Sequence, residues 1–145
     1  MILCLDVGNT QVFGGVFAGD RLISQFRRTS QLRSSSDELG VFFRGVLREN
    51  DIDPGLIQEI VICSVVPDLN YSLRACAQKY FSIDPLMLRP GVKTGLNIAY
   101  QDPKEVGADR IADAVGAIKL FPGSCLLYTS PSPRDRTRSR MPSSA

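Results

Sequence analysis

The chain has 145 residues, enough for one ordinary domain, and 43% of them are apolar, enough to build a core. It contains no histidine, which excludes His-based triads and His metal sites and leaves carboxylates, lysines, tyrosines and thiolates as candidate general bases. No apolar run reaches the length of a bilayer span, and Asp6 cuts off the apolar opening Met1–Leu5 before it could serve as a signal peptide, so no membrane role and a cytoplasmic location are expected.

In chain order, residues 1–7 read as a buried strand, and Gly8, Asn9 and Thr10 as a turn. A second strand is predicted over 11–17, with Gly14 and Gly15 leaving room beside the hairpin. Gly19 and Asp20 make another turn, and 21–28 alternates as a third strand, which completes an antiparallel meander. Ser35 and Glu38 have capping-box spacing, so a helix starts there. Leu39, Phe42, Phe43, Val46 and Leu47 then recur at helical spacing, until the stretch from Asn50 to Gly55 ends the helix.

Residues 59–66 are rich in β-branched side chains and predict a strand that Pro67 stops. Asp68 is the expected cap of a helix to about Phe81, with Leu69, Leu73, Ala77 and Tyr80 inside. A short strand over 85–88, a loop over 90–105 and a last helix over 108–120 complete the series. The order βββαβαβα predicts an α/β domain with a mixed five-stranded sheet and helices packed on it. Cys4, Cys63, Cys76 and Cys125 fit no zinc or redox spacing and read as small buried hydrophobes in a reducing compartment.

The formal charge is +2, unevenly spread: residues 125–145 carry four arginines against Asp135, a net +3, and residues 1–124 carry a net −1. Composition makes 125–145 a disordered basic tail, whose functional reading would be a nucleic-acid or membrane-surface arm. However, residues 125–135 closely resemble one reading frame of a transposon-based sequencing adapter, and 139–145 resemble that adapter's far end in the matching frame. The expectation is therefore a domain over 1–124, a non-native tail over 125–145 that contributes nothing to folding or function, and no nucleic-acid partner.

Two motifs carry chemistry. Asp6-Val7-Gly8-Asn9-Thr10 lies between two strands, so it is neither a P-loop nor a dinucleotide fingerprint. Asp6 ends a buried strand and could hold the water shell of Mg²⁺, while Gly8, Thr10 and the neighbouring amides could approach phosphate oxygens. An Asp and an Asn capping an ordinary hairpin turn would give the same residues. The second motif leads from Tyr100 to Gly107, Ala108, Asp109 and Arg110 at the start of the last helix. A carboxylate at Asp109 is favoured as an anion by the free amides there, and Arg110 offers a fork for a carboxylate or phosphate. The plain alternative is that Asp109 caps the helix and Arg110 pairs with Asp113 or Glu105.

Together with Ser64-Val65-Val66-Pro67, these motifs resemble type III pantothenate kinase, of the actin, sugar-kinase and heat-shock-chaperone superfamily, from Met1 to about Ser124. The resemblance implies two ribonuclease-H-like domains with ATP between them, a homodimer, and ATP-dependent phosphorylation of pantothenate, the first step of coenzyme A synthesis. It implies that Asp6, Val7, Gly8, Asn9, Thr10, Gln11, Val12 and Phe13 line the ATP phosphates. Tyr100, Gly107, Ala108, Asp109 and Arg110 would contact pantothenate, with Asp109 as proton acceptor. Mg²⁺ and a monovalent cation, K⁺ or NH₄⁺, are expected.

In that family a second domain opens with a strand bearing an Asp and a Gly-Thr pair, and the Asp would fall near position 129, where this chain has Thr129. The second domain and its potassium ligand are accordingly expected to be missing, and this chain alone to be inactive. The competing expectations are a non-catalytic regulatory relative and a kinase of the same superfamily acting on another small molecule.

Overall fold

The computed structural model describes residues 1–99, 102 and 105–123. Five strands, β1 (Ile2–Val7), β2 (Gln11–Ala18), β3 (Arg21–Thr29), β4 (Glu59–Ser64) and β5 (Leu86–Leu88), form one sheet in the order β3-β2-β1-β4-β5. β1 pairs antiparallel with β2, and β2 with β3, whereas β4 runs parallel to β1, and β5 to β4. Three helices, α1 (Ser36–Glu49), α2 (Pro67–Phe81) and α3 (Ala108–Leu120), complete the predicted βββαβαβα order. This is the ribonuclease-H-like arrangement expected from the sequence.

Strand alternation divides the sheet into two faces. Leu3, Leu5 and Val7 of β1, Val12 and Val16 of β2, and Ile60 and Ile62 of β4 point to one face and are buried. α1 covers that face with Leu39, Phe43 and Leu47, and α2 with Leu69, Leu73, Cys76 and Ala77. Burying each large side chain of this set contributes about 1.5–3 kcal/mol. Cys4, Asp6 and Cys63 belong to the opposite face, where α3 packs on β4 and β5 through its buried Ala108 and Ile111.

The capping box of α1 forms as predicted: Ser35 Oγ accepts from the Glu38 amide (3.1 Å), and Glu38 Oε2 accepts from the Ser35 amide (2.7 Å). The start of α2 departs from expectation. β4 ends at Ser64, Val66 is the N-cap residue, and Pro67 opens the helix. Asp68 makes no side-chain cap; a proline at the first helical position needs no amide partner, and its φ is already helical.

Tyr80 is only partly buried, because its hydroxyl reaches Asp37 of α1 (2.8 Å) across Gly40, where a Cβ would overlap its ring. A 3-10 turn at Pro54–Leu56, capped by Asp53 accepting from the Gly55 amide (2.9 Å), lies in the segment read only as a helix end.

Candidate active site

The turn after β1 is fixed on three sides. The Gly8 amide donates to Gln11 O (2.9 Å) and the Val65 amide to Val7 O (3.0 Å). Ser30 donates its hydroxyl to Gly8 O (2.6 Å) and its amide to Thr10 O (2.8 Å). Asn9, Thr10 and Gln11 consequently stand exposed on a rigid rim, where their polar groups can meet a ligand.

The side chains of Val7 and Val12 are in the core, so only their backbone faces this rim. Phe13 is 40% exposed on the face of Asp6, with the Arg27 guanidinium 4.7 Å from its ring centre. Gly8 does not adopt a left-handed backbone; a Cβ there would sit 3.3 Å from Gln11 O, so its smallness serves the tightness of the turn. The room at Gly14, read above as space beside the hairpin, is filled by the Phe26 ring, which a Cβ would overlap.

Asp6 lies beside Cys63 in the parallel β1–β4 register. It is open to solvent on one side, yet its carboxyl is held above the usual range, first by burial at the strand end and then by the negative charges of Asp109 and Asp113. A hydrogen bond from the Cys63 thiol acts in the opposite direction. Burial, followed by these carboxylates, pushes the Cys63 thiol up to about 12, so it stays protonated and donates to Asp6. Burial also carries the Cys76 thiol up to about 12, which removes both from the list of candidate thiolate bases.

Asp109 is the second residue of α3. Its helix begins at Gly107, which has an extended backbone (φ −63°, ψ 148°), and no side chain caps it. The plain reading of Asp109 as a cap is therefore not what forms. A Cβ on Gly107 would overlap Asp109 Oδ1, so glycine is needed there for the carboxylate to lie over the helix start. Arg110 follows, partly buried. Tyr100 lies outside the described residues.

Two carboxylates of α3, Asp109 and Asp113, thus act on Asp6 at the carboxyl end of β1. Among the described residues no group of three His, Cys, Asp or Glu could hold a metal ion directly. The donor set fits Mg²⁺ held through water by Asp6, where a cation would offset the crowded negative charge.

Sequence reasoning brought Asp6 and Asp109 forward but missed three contributors. Cys63 is visible only as the neighbour of Asp6 in the sheet register. Asp113 had been read only as an ion-pair partner for Arg110, although it sits one helical turn after Asp109. Ser30 has no sequence signal apart from its place at the end of β3.

An α/β domain of ribonuclease-H-like topology, with a glycine turn and opposed carboxylates at the strand ends, defines the class. The family model for type III pantothenate kinase matches residues 2–129, and the chain belongs to that family. A type III pantothenate kinase from Legionella pneumophila (strain Corby) is 58% identical over 88% of this chain and 49% of its own length. One from Elusimicrobium minutum is 53% identical over the same shares. The chain therefore spans about half the length of the curated relatives it matches. Among solved structures, a crystal structure of ROK hexokinase from Thermus thermophilus has a TM-score of 0.43 and 17% identity, over 59% of this chain and 34% of that one.

Proposed function

We propose that this chain forms the N-terminal part of a cytoplasmic enzyme that transfers a phosphoryl group from ATP to the primary hydroxyl of pantothenate, giving 4′-phosphopantothenate for coenzyme A synthesis. The observation that carries the proposal is that Asp109, far from Asp6 in sequence, lies near enough in the fold for its charge to help hold the Asp6 carboxyl above its ordinary range. In this reading residues 1–124 are the kinase domain and residues 125–145 contribute nothing, the ligands are ATP and pantothenate, and the longer enzyme is a homodimer. Among the described residues no helix is long and apolar enough to cross a membrane.

Phosphoryl transfer needs positioning and charge neutralisation more than covalent help. The exposed rim from Gly8 to Gln11 offers amides and short polar side chains to phosphate oxygens, and Phe13 under Arg27 borders it. Asp6 would hold Mg²⁺ through water, and when bound that ion neutralises phosphate charge. Asp109 orients the acceptor hydroxyl and takes its proton at a carboxylate oxygen, while Arg110 holds the acceptor's polar groups. Gly107, Ala108 and Tyr100 are assigned to the same acceptor. The monovalent cation, K⁺ or NH₄⁺, has no ligand assigned in this chain.

The test joins residues 1–123 to the C-terminal half of the Legionella pneumophila relative and offers the product ATP with pantothenate, glucose and glycerate. Phosphorylation of pantothenate well above the others is expected. Preference for a sugar or another acid would replace the substrate assignment.

A further inference from the structure

Asp6, Phe13 and Arg27 form one row across three neighbouring strands. Asp6 pairs with Phe13 in the β1–β2 register, and Phe13 pairs with Arg27 in the β2–β3 register. Directly paired residues point to the same side of a sheet, so all three lie on the face opposite the core, and all three are exposed. Neighbouring strands lie about 4.8 Å apart, which starts the Arg27 side chain about 10 Å from Asp6.

The Arg27 guanidinium rests 4.7 Å from the centre of the Phe13 ring. Stacking of this kind steadies a long side chain and leaves its planar fork of donors free. Among the described residues Arg74, Lys79 and Lys119 are paired with Asp84, Asp37 and Asp20, whereas Arg27 has no carboxylate partner. The row therefore ends in an oriented and uncommitted cation.

The sheet order says what that cation would meet. α3, which carries Asp109, packs on β4 and β5, and beyond β4 come β1, β2 and β3. An acceptor hydroxyl at Asp109 and a metal ion at Asp6 place the transferred phosphoryl group on the β4–β1 side. The rest of the phosphate chain then runs over Phe13 on β2 towards Arg27 on β3.

We propose that Arg27 is a binding residue for the phosphoryl donor. Its guanidinium, steadied by Phe13, takes oxygens of the diphosphate that stays with the nucleotide, where a fixed cation meets the charge of the leaving group. This rests on the phosphoryl-transfer reading above.

The test is calorimetric titration of the 145-residue chain with ATP, ADP and AMP in the presence of Mg²⁺. The unsubstituted chain is expected to bind ATP and ADP. Arg27→Gln should weaken both about tenfold, since both carry the diphosphate, and leave AMP unchanged. Arg27→Lys, which keeps the charge without the fork, should recover part of the loss. A loss confined to ATP would put the guanidinium on the transferred group and overturn the assignment. Equal weakening of AMP would show a general disturbance of the strand and overturn it too. If Arg27→Gln binds ATP and ADP as the unsubstituted chain does while Asp6→Asn binds ATP more weakly, the Arg27 assignment falls and the phosphoryl-transfer reading stands. If the unsubstituted chain binds none of the three, both fall.

Discussion

The Asp6 carboxyl is held above its ordinary value by burial and by Asp109 and Asp113, and this has a consequence for stability. Well below the ordinary value of 3.8, Asp6 is protonated in folded and unfolded chains alike and makes no difference. As pH rises past 3.8 the unfolded chain ionises first, and the folded state loses stability until its own higher value is passed. Asp6→Asn should therefore raise the melting temperature at neutral pH and leave it unchanged in strong acid, with the neutral-pH gain shrinking when Mg²⁺ is added. A melting temperature lowered at neutral pH would contradict the charge crowding. In the proposed reading, function and stability oppose one another at this residue, as is common where charge is gathered for chemistry.

The residues of the site were legible to different degrees. Asp6 and Asp109 stood out because each sits where a regular element begins or ends. Cys63 did not, since a cysteine within a β-branched run reads as core, and only the β1–β4 register turns it towards Asp6. Val7 and Val12 lie within or beside the turn after β1 by sequence number, but alternation sends their side chains into the core.

Among the elements, the α1 start was readable because a capping box is local: both hydrogen bonds join residues three apart. Ser35→Ala should cost about 1 kcal/mol in chemical denaturation, by freeing the Glu38 amide. The start of α2 was harder, because Pro67 ends one element and begins another. A sequence shows the break but not which neighbour uses it. Gly14 was misread for a different reason: its space is occupied from β3, through a contact with Phe26 that no local pattern reveals. Gly14→Ala should destabilise by about 1–3 kcal/mol, since Phe26 is hemmed in by Phe42 and Phe43 at ring-centre distances of 6.0 Å each. An unchanged denaturation midpoint would show that the ring can move aside.

At the scale of the molecule, the sequence revealed the succession of strands and helices, because alternating and helical periods are strong, but not the order of the strands within the sheet. The described residues also leave an exposed apolar surface on α3. Ile118, Leu120 and Phe121 are 61%, 72% and 64% exposed near its end. Surfaces of this kind promote self-association. Light scattering of the 145-residue chain should rise with concentration, and the pair Ile118→Ser and Phe121→Ser should reduce it. Equal scattering with and without the pair would locate the sticky surface elsewhere.

The central claim is that the Asp6–Asp109 site performs phosphoryl transfer with Asp109 as proton acceptor. Its most direct test is the turnover number for pantothenate of residues 1–123 joined to the Legionella pneumophila C-terminal half, with and without Asp109→Asn, alongside ATP binding. The account predicts a loss of at least about a hundredfold in turnover with ATP affinity retained. Unchanged turnover in the Asp109→Asn protein would contradict it.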